Sequence, residues 1–156
     1  MQRPAVLFVC LGNICRSPLA EAAFRLEADR VHLDVFIDSA GTGNWHEGEP
    51  PDPRACEAAR RHGQDISHYR ARQIKAADFQ RFTHIIALDH QNLKDLTRLR
   101  TEQATAELSL LLDHAPGHEG RAVADPYYGG DAEFERTWRE VTLAAQGLAG
   151  RLGGRQ

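Results

Sequence analysis

Absences bound this chain before any motif does. No apolar run approaches the roughly 20 residues that a membrane-spanning helix needs. The first residues, Met1-Gln2-Arg3-Pro4, lead straight into an apolar stretch and have no signal-peptide shape. A cytoplasmic protein with no membrane partner is therefore expected. A basic excess is also missing: the formal charge is −3, so no nucleic-acid partner is indicated. Only three cysteines occur, which suits a reducing compartment better than a disulfide scaffold. The eight histidines show no metal-ligand spacing. His114 and His118 are four apart, but Pro116 and Gly117 between them keep them off a shared helix face. No metal and no cofactor is expected, and no repeat or low-complexity segment stands out. What remains is ordinary globular composition, 42% apolar and 26% charged, over 156 residues. That reads as one domain spanning 1–156, long enough to bury a core without staples.

One stretch concentrates the chemistry. Ala5 to Val9 reads as a short buried strand. Ser17 as N-cap and Pro18 at the first helical position signal a helix start. The segment Cys10-Leu11-Gly12-Asn13-Ile14-Cys15-Arg16 is slung between them. Free amides and the positive end of a helix dipole make such a place an anion site. Gly12 takes positive φ at no steric cost and Asn13 tolerates it, so consecutive amides can point inward as a nest. Arg16 offers a planar fork that matches two phosphate oxygens. A thiol in that field is expected to ionise well below the usual pKa of about 8.5. Cys10 alone reads as a small buried hydrophobe or as a nucleophile. Its place between strand, glycine, arginine and helix favours the nucleophile.

Strands and helices alternate along the rest of the chain. Leu19, Ala22, Ala23 and Leu26 give the first helix an apolar face, with Glu21, Arg25 and Glu27 opposite. Val35-Phe36-Ile37 reads as a second strand, and Ser39 to Pro53 as loop. Asp52 and Pro53 open a helix that runs to about His62 and stops at Gly63. A short helix is expected over Lys75 to Arg81, and a third strand over His84 to Leu88. Asp89 caps a helix with Leu93, Leu96 and Leu99 inward. Glu107 to Leu112 fits strand or helix turn by periodicity, and the alternation favours a fourth strand. Asp131 caps a last helix whose face is Phe134, Trp138, Val141, Ala145, Leu148 and Leu152. Arg54, Arg60 and Arg61 read as a solvated helix face, and Cys56 as structural. The pattern implies an α/β domain with helices on both sides of a parallel sheet, and the Cys10 loop at the sheet's carboxyl edge.

Val9-Cys10-Leu11-Gly12-Asn13-Ile14-Cys15-Arg16-Ser17-Pro18 resembles the signature of the low-molecular-weight protein tyrosine phosphatases. The likeness extends to Ile37-Asp38-Ser39-Ala40-Gly41-Thr42, Ala71-Arg72-Gln73-Ile74 and Asp125-Pro126-Tyr127-Tyr128, so it spans nearly the whole chain. It implies a flavodoxin-like, three-layer αβα fold with a four-stranded parallel sheet in order 2-1-3-4. It also implies hydrolysis of phosphotyrosine in a protein or peptide, with inorganic phosphate as product. Cys10 would be the nucleophile, and the loop from Leu11 to Ser17 would bind phosphate.

By spacing alone Asp125-Pro126 is an ordinary turn. The resemblance makes Asp125 the proton donor to the leaving phenolate, with its pKa raised from about 3.9 by bound phosphate and thiolate. Ser17 would stabilise the thiolate, and Ser39 would hold Asn13. Cys15 would be a reversible disulfide partner for Cys10. A phosphotyrosine ring needs apolar walls, for which Leu11, Ile14, Trp45, Tyr127 and Tyr128 are the candidates. Relatives acting on phosphoarginine carry threonine where this chain has Ile14, which favours phosphotyrosine. A thiol-dependent arsenate reductase is a rival, but only Cys56 follows Cys15 and no cysteine lies near residues 80–90. A phosphate-binding module without turnover is a second rival, weakened because Cys10, Arg16 and Asp125 are all present.

Overall fold

The run Ala5-Val6-Leu7-Phe8-Val9-Cys10 carries no charged or strongly polar side chain, so it is stable only where both its faces are covered. A computed structural model, which describes residues 3–153, makes it the inner strand β1 (Ala5–Cys10). The expected domain limits at 1 and 156 lie outside the described residues. β1 pairs in parallel with β2 (Phe36–Gly41) on one side and β3 (His84–Ala87) on the other. β3 pairs in parallel with β4 (Glu107–Leu110), so the sheet order is 2-1-3-4, as the resemblance implied.

Alternate side chains of β1 serve two cores. Val6, Phe8 and Cys10 pack with α1 (Arg16–Arg30), α2 (Pro53–Arg61) and α5 (Asp131–Gly153). Ala5, Leu7 and Val9 face α3 (Asp78–Arg81) and α4 (His90–Leu99). This is the three-layer αβα arrangement. Two of the three expected aspartate caps form: Asp52 accepts from the Arg54 amide at 2.8 Å and Asp89 from the Asn92 amide at 2.7 Å. Among the described residues no helix is long and apolar enough to cross a membrane.

The departures from the sequence reading have tertiary causes. α1 begins at Arg16, so Ser17 lies inside it and its hydroxyl makes no cap; no side chain caps this helix. Asp131 likewise falls within the first turn of α5, where the Glu133 carboxylate instead accepts from the Gly130 amide at 2.7 Å. β2 continues through Ser39, Ala40 and Gly41, because β1 offers those residues a parallel partner up to Cys10. Lys75 is irregular, Ala76 and Ala77 are turn, and only Asp78–Arg81 are helical. Leu111 and Leu112 leave the sheet for a 3-10 turn, Leu111–His114, since the β3–β4 ladder ends at Ala87 and Leu110. α1 is wedged between sheet and α5, so Glu21 and Glu27 are buried while Leu26 is exposed. Leu99 is also exposed, as the last residue of α4.

Phe8 and Phe24 meet edge to face with ring centroids 5.6 Å apart, both fully buried. Phe24→Ala is therefore expected to cost about 3–5 kcal/mol in a denaturant titration. A loss below about 1 kcal/mol would contradict this placement of the core.

Candidate active site

The loop after β1 is shaped by where its carbonyls go. Cys10 O accepts from the Thr42 amide, Leu11 O from Gly43 and Ile14 O from Asp52, each at 2.9 Å. A trans peptide is planar, so the amide after each of these carbonyls points the opposite way. The amides of Leu11, Gly12 and Cys15 are thereby turned from the surrounding loops toward the loop's own hollow. The uncapped start of α1 opens on the same hollow.

Asn13 holds the turn. Its φ of 59° lies in the left-handed region, which a non-glycine residue occupies at a cost of about 1–2 kcal/mol. Three hydrogen bonds offset that cost. Asn13 Nδ2 donates to Ser17 Oγ at 2.8 Å and to Ser39 Oγ at 3.0 Å, and Oδ1 accepts from the Arg72 amide at 3.0 Å. Gly12, expected to share the positive φ, does not adopt it. Its role is clearance: a Cβ there would stand 3.1 Å from the His46 ring.

Behind Asn13 the bonds continue inward to charge. Ser39 Oγ donates to Glu21 Oε1 at 2.7 Å, and Arg25 forks onto Glu21 Oε2 at 3.0 and 2.8 Å. Burial pushes the Glu21 carboxyl above its ordinary pKa, and the bonds from Ser39 and Arg25 pull against it. Ser17 Oγ, which accepts from Asn13, lies 3.0 Å from Cys10 Sγ, so the hydroxyl proton is free to point at the sulfur.

Arg16 is buried at the opposite lip. Its Nη1 donates to Asp89 Oδ2 at 2.8 Å and to the Val123 carbonyl at 2.9 Å. Burial works against its charge, but Cys10, Asp89 and Asp125 more than compensate and raise its pKa. Asp89 therefore has two jobs, capping α4 with one oxygen and aiming Arg16 with the other. Beyond β3, Leu88 O accepts from the Val123 amide at 2.8 Å, which draws the following segment to the sheet's carboxyl edge. Asp125 is thus delivered half-exposed, its Oδ2 3.9 Å from Arg16 Nη2 and its Oδ1 accepting from the Tyr127 amide at 3.1 Å.

Cys15 is a buried free thiol beside this loop. Burial, with Asp52, Cys10 and Asp125 nearby, pushes its pKa far up, so it stays neutral and adds no charge against an incoming anion.

A cavity of about 380 Å³ opens over the loop. All five expected wall residues, Leu11, Ile14, Trp45, Tyr127 and Tyr128, line it, together with Cys10, Arg16 and Asp125. Trp45 is 68% exposed and Tyr128 95%, so these two form a rim more than a wall. Gly43 permits the Trp45 pose, since a Cβ there would fall 1.7 Å from the indole. Sequence reasoning missed Asp89, Arg72, Glu21 and His46 as site residues. Asp89, directly after a buried strand at the sheet's carboxyl edge, carried a usable signal; the others act across long sequence separations.

Arg54 does not belong to a solvated face with Arg60 and Arg61. It grips Asp52 with two bonds, donates to the Gly129 carbonyl at 3.0 Å, and stacks on Tyr127 and Phe134. Arg60 and Arg61 do remain at the surface, paired with Glu57 and Glu135.

A sulfur under inward-turned amides, with a buried guanidinium and a carboxylate lining the same cavity, can hold an oxyanion and transfer it to sulfur. The fold and this arrangement define a cysteine-dependent phosphatase of the α/β class. Residues 5–156 match the family described as low molecular weight phosphotyrosine protein phosphatase, and the chain belongs to that family. It is 44% identical over 132 residues to the low molecular weight phosphotyrosine protein phosphatase of Schizosaccharomyces pombe, covering 83% of this chain and 84% of that one. It is 45% identical over 148 residues to the low molecular weight protein-tyrosine-phosphatase of Streptomyces coelicolor, covering 92% and 90%. The crystal structure of a protein tyrosine phosphatase from Entamoeba histolytica superposes with a TM-score of 0.87 at 35% identity, over 93% of this chain and 94% of that one.

The account of Asn13 predicts how two replacements differ. Asn13→Gly and Asn13→Ala both lose the three hydrogen bonds, but only Ala bears the left-handed strain. Asn13→Ala is expected to be less stable than Asn13→Gly by about 1 kcal/mol in denaturant titrations. Equal stabilities would contradict the strain.

Proposed function

We propose that this chain hydrolyses phosphotyrosine in two steps through a phosphocysteine at Cys10. The observation that carries the reading is the convergence of Cys10, Arg16 and Asp125 on one cavity whose other walls are apolar. In the first step the Cys10 thiolate attacks phosphorus in line. The S–P bond forms, the P–O bond breaks, and Asp125 gives its proton to the departing phenolate oxygen. Arg16 and the inward amides hold the equatorial oxygens, where charge redistributes in the transition state. Ser17 donates to the sulfur, which favours thiolate as attacking and as leaving group. In the second step water attacks phosphorus, Asp125 accepts its proton, and the S–P bond breaks to release phosphate and the thiolate.

The substrate is a phosphotyrosine residue of a protein or peptide, its ring seated between Ile14 and Tyr127 with Leu11 and Trp45 at the mouth. A planar ring on a phosphate fits these apolar surfaces. A short serine phosphate would reach the loop without using them. Ile14 supplies apolar surface here and no hydroxyl, which supports the aryl ester over phosphoarginine. Against arsenate reduction, the third thiol, Cys56, sits on α2 with its sulfur 3.7 Å from the Pro51 carbonyl. The three free cysteines, one of them the nucleophile, fit a cytoplasmic enzyme.

Cys10→Ser is expected to lower phosphotyrosine hydrolysis by at least about a thousandfold while the protein still folds. Retention of substantial turnover would remove Cys10 from the nucleophile's role. Asp125→Ala is expected to cost about 10²-fold or more in kcat/KM for phosphotyrosine, and far less for an aryl phosphate with an acidic phenol. Equal losses on both would argue against proton donation. In a panel of phosphotyrosine, phosphoserine and phosphoarginine peptides assayed without added metal, the first is expected to be turned over best. Preference for either of the others would overturn the substrate reading.

A further inference from the structure

Asp125 stands on a segment anchored at its two ends, where Val123 is bonded to Leu88 and Arg16, and Gly130 to Glu133 and Phe134 at the start of α5. Among the described residues, its polar contacts to other elements between Val123 and Gly130 are the 3.9 Å approach of Arg16 to Asp125 and the bond from Arg54 to the Gly129 carbonyl. Inside the segment, Gly129 N donates to Pro126 O at 2.8 Å and Tyr127 N to Asp125 Oδ1 at 3.1 Å. Between its anchored ends the segment is therefore a small closed turn, and there what holds it from outside is mainly one side chain of α2.

Arg54 holds it at two points. Nη1 donates to Gly129 O at 3.0 Å, and the guanidinium centre lies 5.4 Å from the Tyr127 ring centroid. The same guanidinium lies 4.8 Å from the Phe134 centroid at the start of α5, so it is sandwiched among fixed groups. Two further donors are held by Asp52: Nε to Oδ1 at 3.0 Å and Nη2 to Oδ2 at 2.9 Å. Asp52 is itself tied on two sides. Its carboxylate caps α2 through the Arg54 amide, and its own amide donates to the Ile14 carbonyl of the phosphate loop at 2.9 Å. The bonds with Arg54 hold the Asp52 carboxyl below its ordinary pKa against the effect of burial, so it remains an anion. A continuous path of short contacts thus runs from the nucleophile's loop at Ile14, through Asp52 and Arg54, to the segment that carries Asp125.

We propose that Arg54 is a positioning residue for the proton donor, locking the Asp125–Gly130 segment to the phosphate loop so that Asp125 stands opposite Cys10. The proposal rests on the reading of Asp125 as the general acid. A planar fork is required for this task. It must meet a carboxylate side-on, reach a carbonyl with its other edge, and present a flat face to Tyr127. Lysine matches the charge but offers neither the fork nor the face.

The test compares kcat/KM across aryl phosphates whose phenols run from acidic to tyrosine-like, for Arg54→Gln, Arg54→Lys, Asp125→Ala and the Arg54→Gln/Asp125→Ala double variant. General acid catalysis contributes about 10²–10⁴-fold, and a displaced donor forfeits part of it. Arg54→Gln is expected to lose about tenfold on phosphotyrosine and less than about twofold on the most acidic phenol. Arg54→Lys, which keeps a cation beside Asp52 and so protects the fold, is expected to show the same selective loss. In the Asp125→Ala background the Arg54 change is expected to add less than about twofold, because the group it positions is gone. A uniform loss across leaving groups, full rescue by lysine, or independent losses in the double variant would each overturn the proposal. If Asp125→Ala itself shows no dependence on the leaving group, the failure lies in the general-acid reading and not in the clamp.

Discussion

Three carbonyls bonded outward, at Cys10, Leu11 and Ile14, are the constraint on which the rest of this molecule depends. They fix the peptide planes, and the planes fix the direction of the amides. Asn13, bent into a left-handed conformation, makes the reversal that keeps those planes aligned. Without its bonds to Ser39 and Ser17 and the one from the Arg72 amide, nothing would offset the strain at Asn13.

The site is then oriented by carboxylates that each serve two masters. Asp89 caps α4 and aims Arg16; Asp52 caps α2 and grips Arg54; Glu21 anchors Ser39 while being gripped by Arg25. Burying these anions is costly unless each is paired and hydrogen-bonded, and each is. The arrangement ties catalytic geometry to the stability of helix ends. A group needed for chemistry is thereby held by something the fold requires anyway, which limits its motion without a separate scaffold.

Much of this was readable from residue order, because the informative signals are local. An apolar run followed by a glycine-bearing loop and a helix start identifies the anion site within about a dozen residues. Asp52-Pro53 and Asp89 declare their helices by cap chemistry, and the alternation of elements gives the parallel sheet. What could not be read depends on partners far away in sequence. Ser17 reads as a cap by residue order, since serine before proline at a helix start usually is one; only the family resemblance pointed to Cys10, whose sulfur lies 3.0 Å from its hydroxyl. Glu21 and Arg54 looked solvated because their helices carry other charges nearby; only tertiary packing sets Glu21 against Ser39 of β2 and Arg54 against Phe134 of α5. Gly12 and Asn13 both looked able to take positive φ; the side-chain bonds available to Asn13 put the reversal there alone.

The claim at the centre of the account is that a captured phosphoryl group is transferred to the sulfur of Cys10. Rapid acid quench during turnover of an aryl phosphate, followed by fragment sequencing of the peptide that holds both Cys10 and Cys15, reads this directly. The account predicts one phosphoryl group, on Cys10, that disappears as substrate is exhausted. Phosphate on Cys15 or on any other residue, or turnover with no covalent adduct trapped at any time, would contradict it.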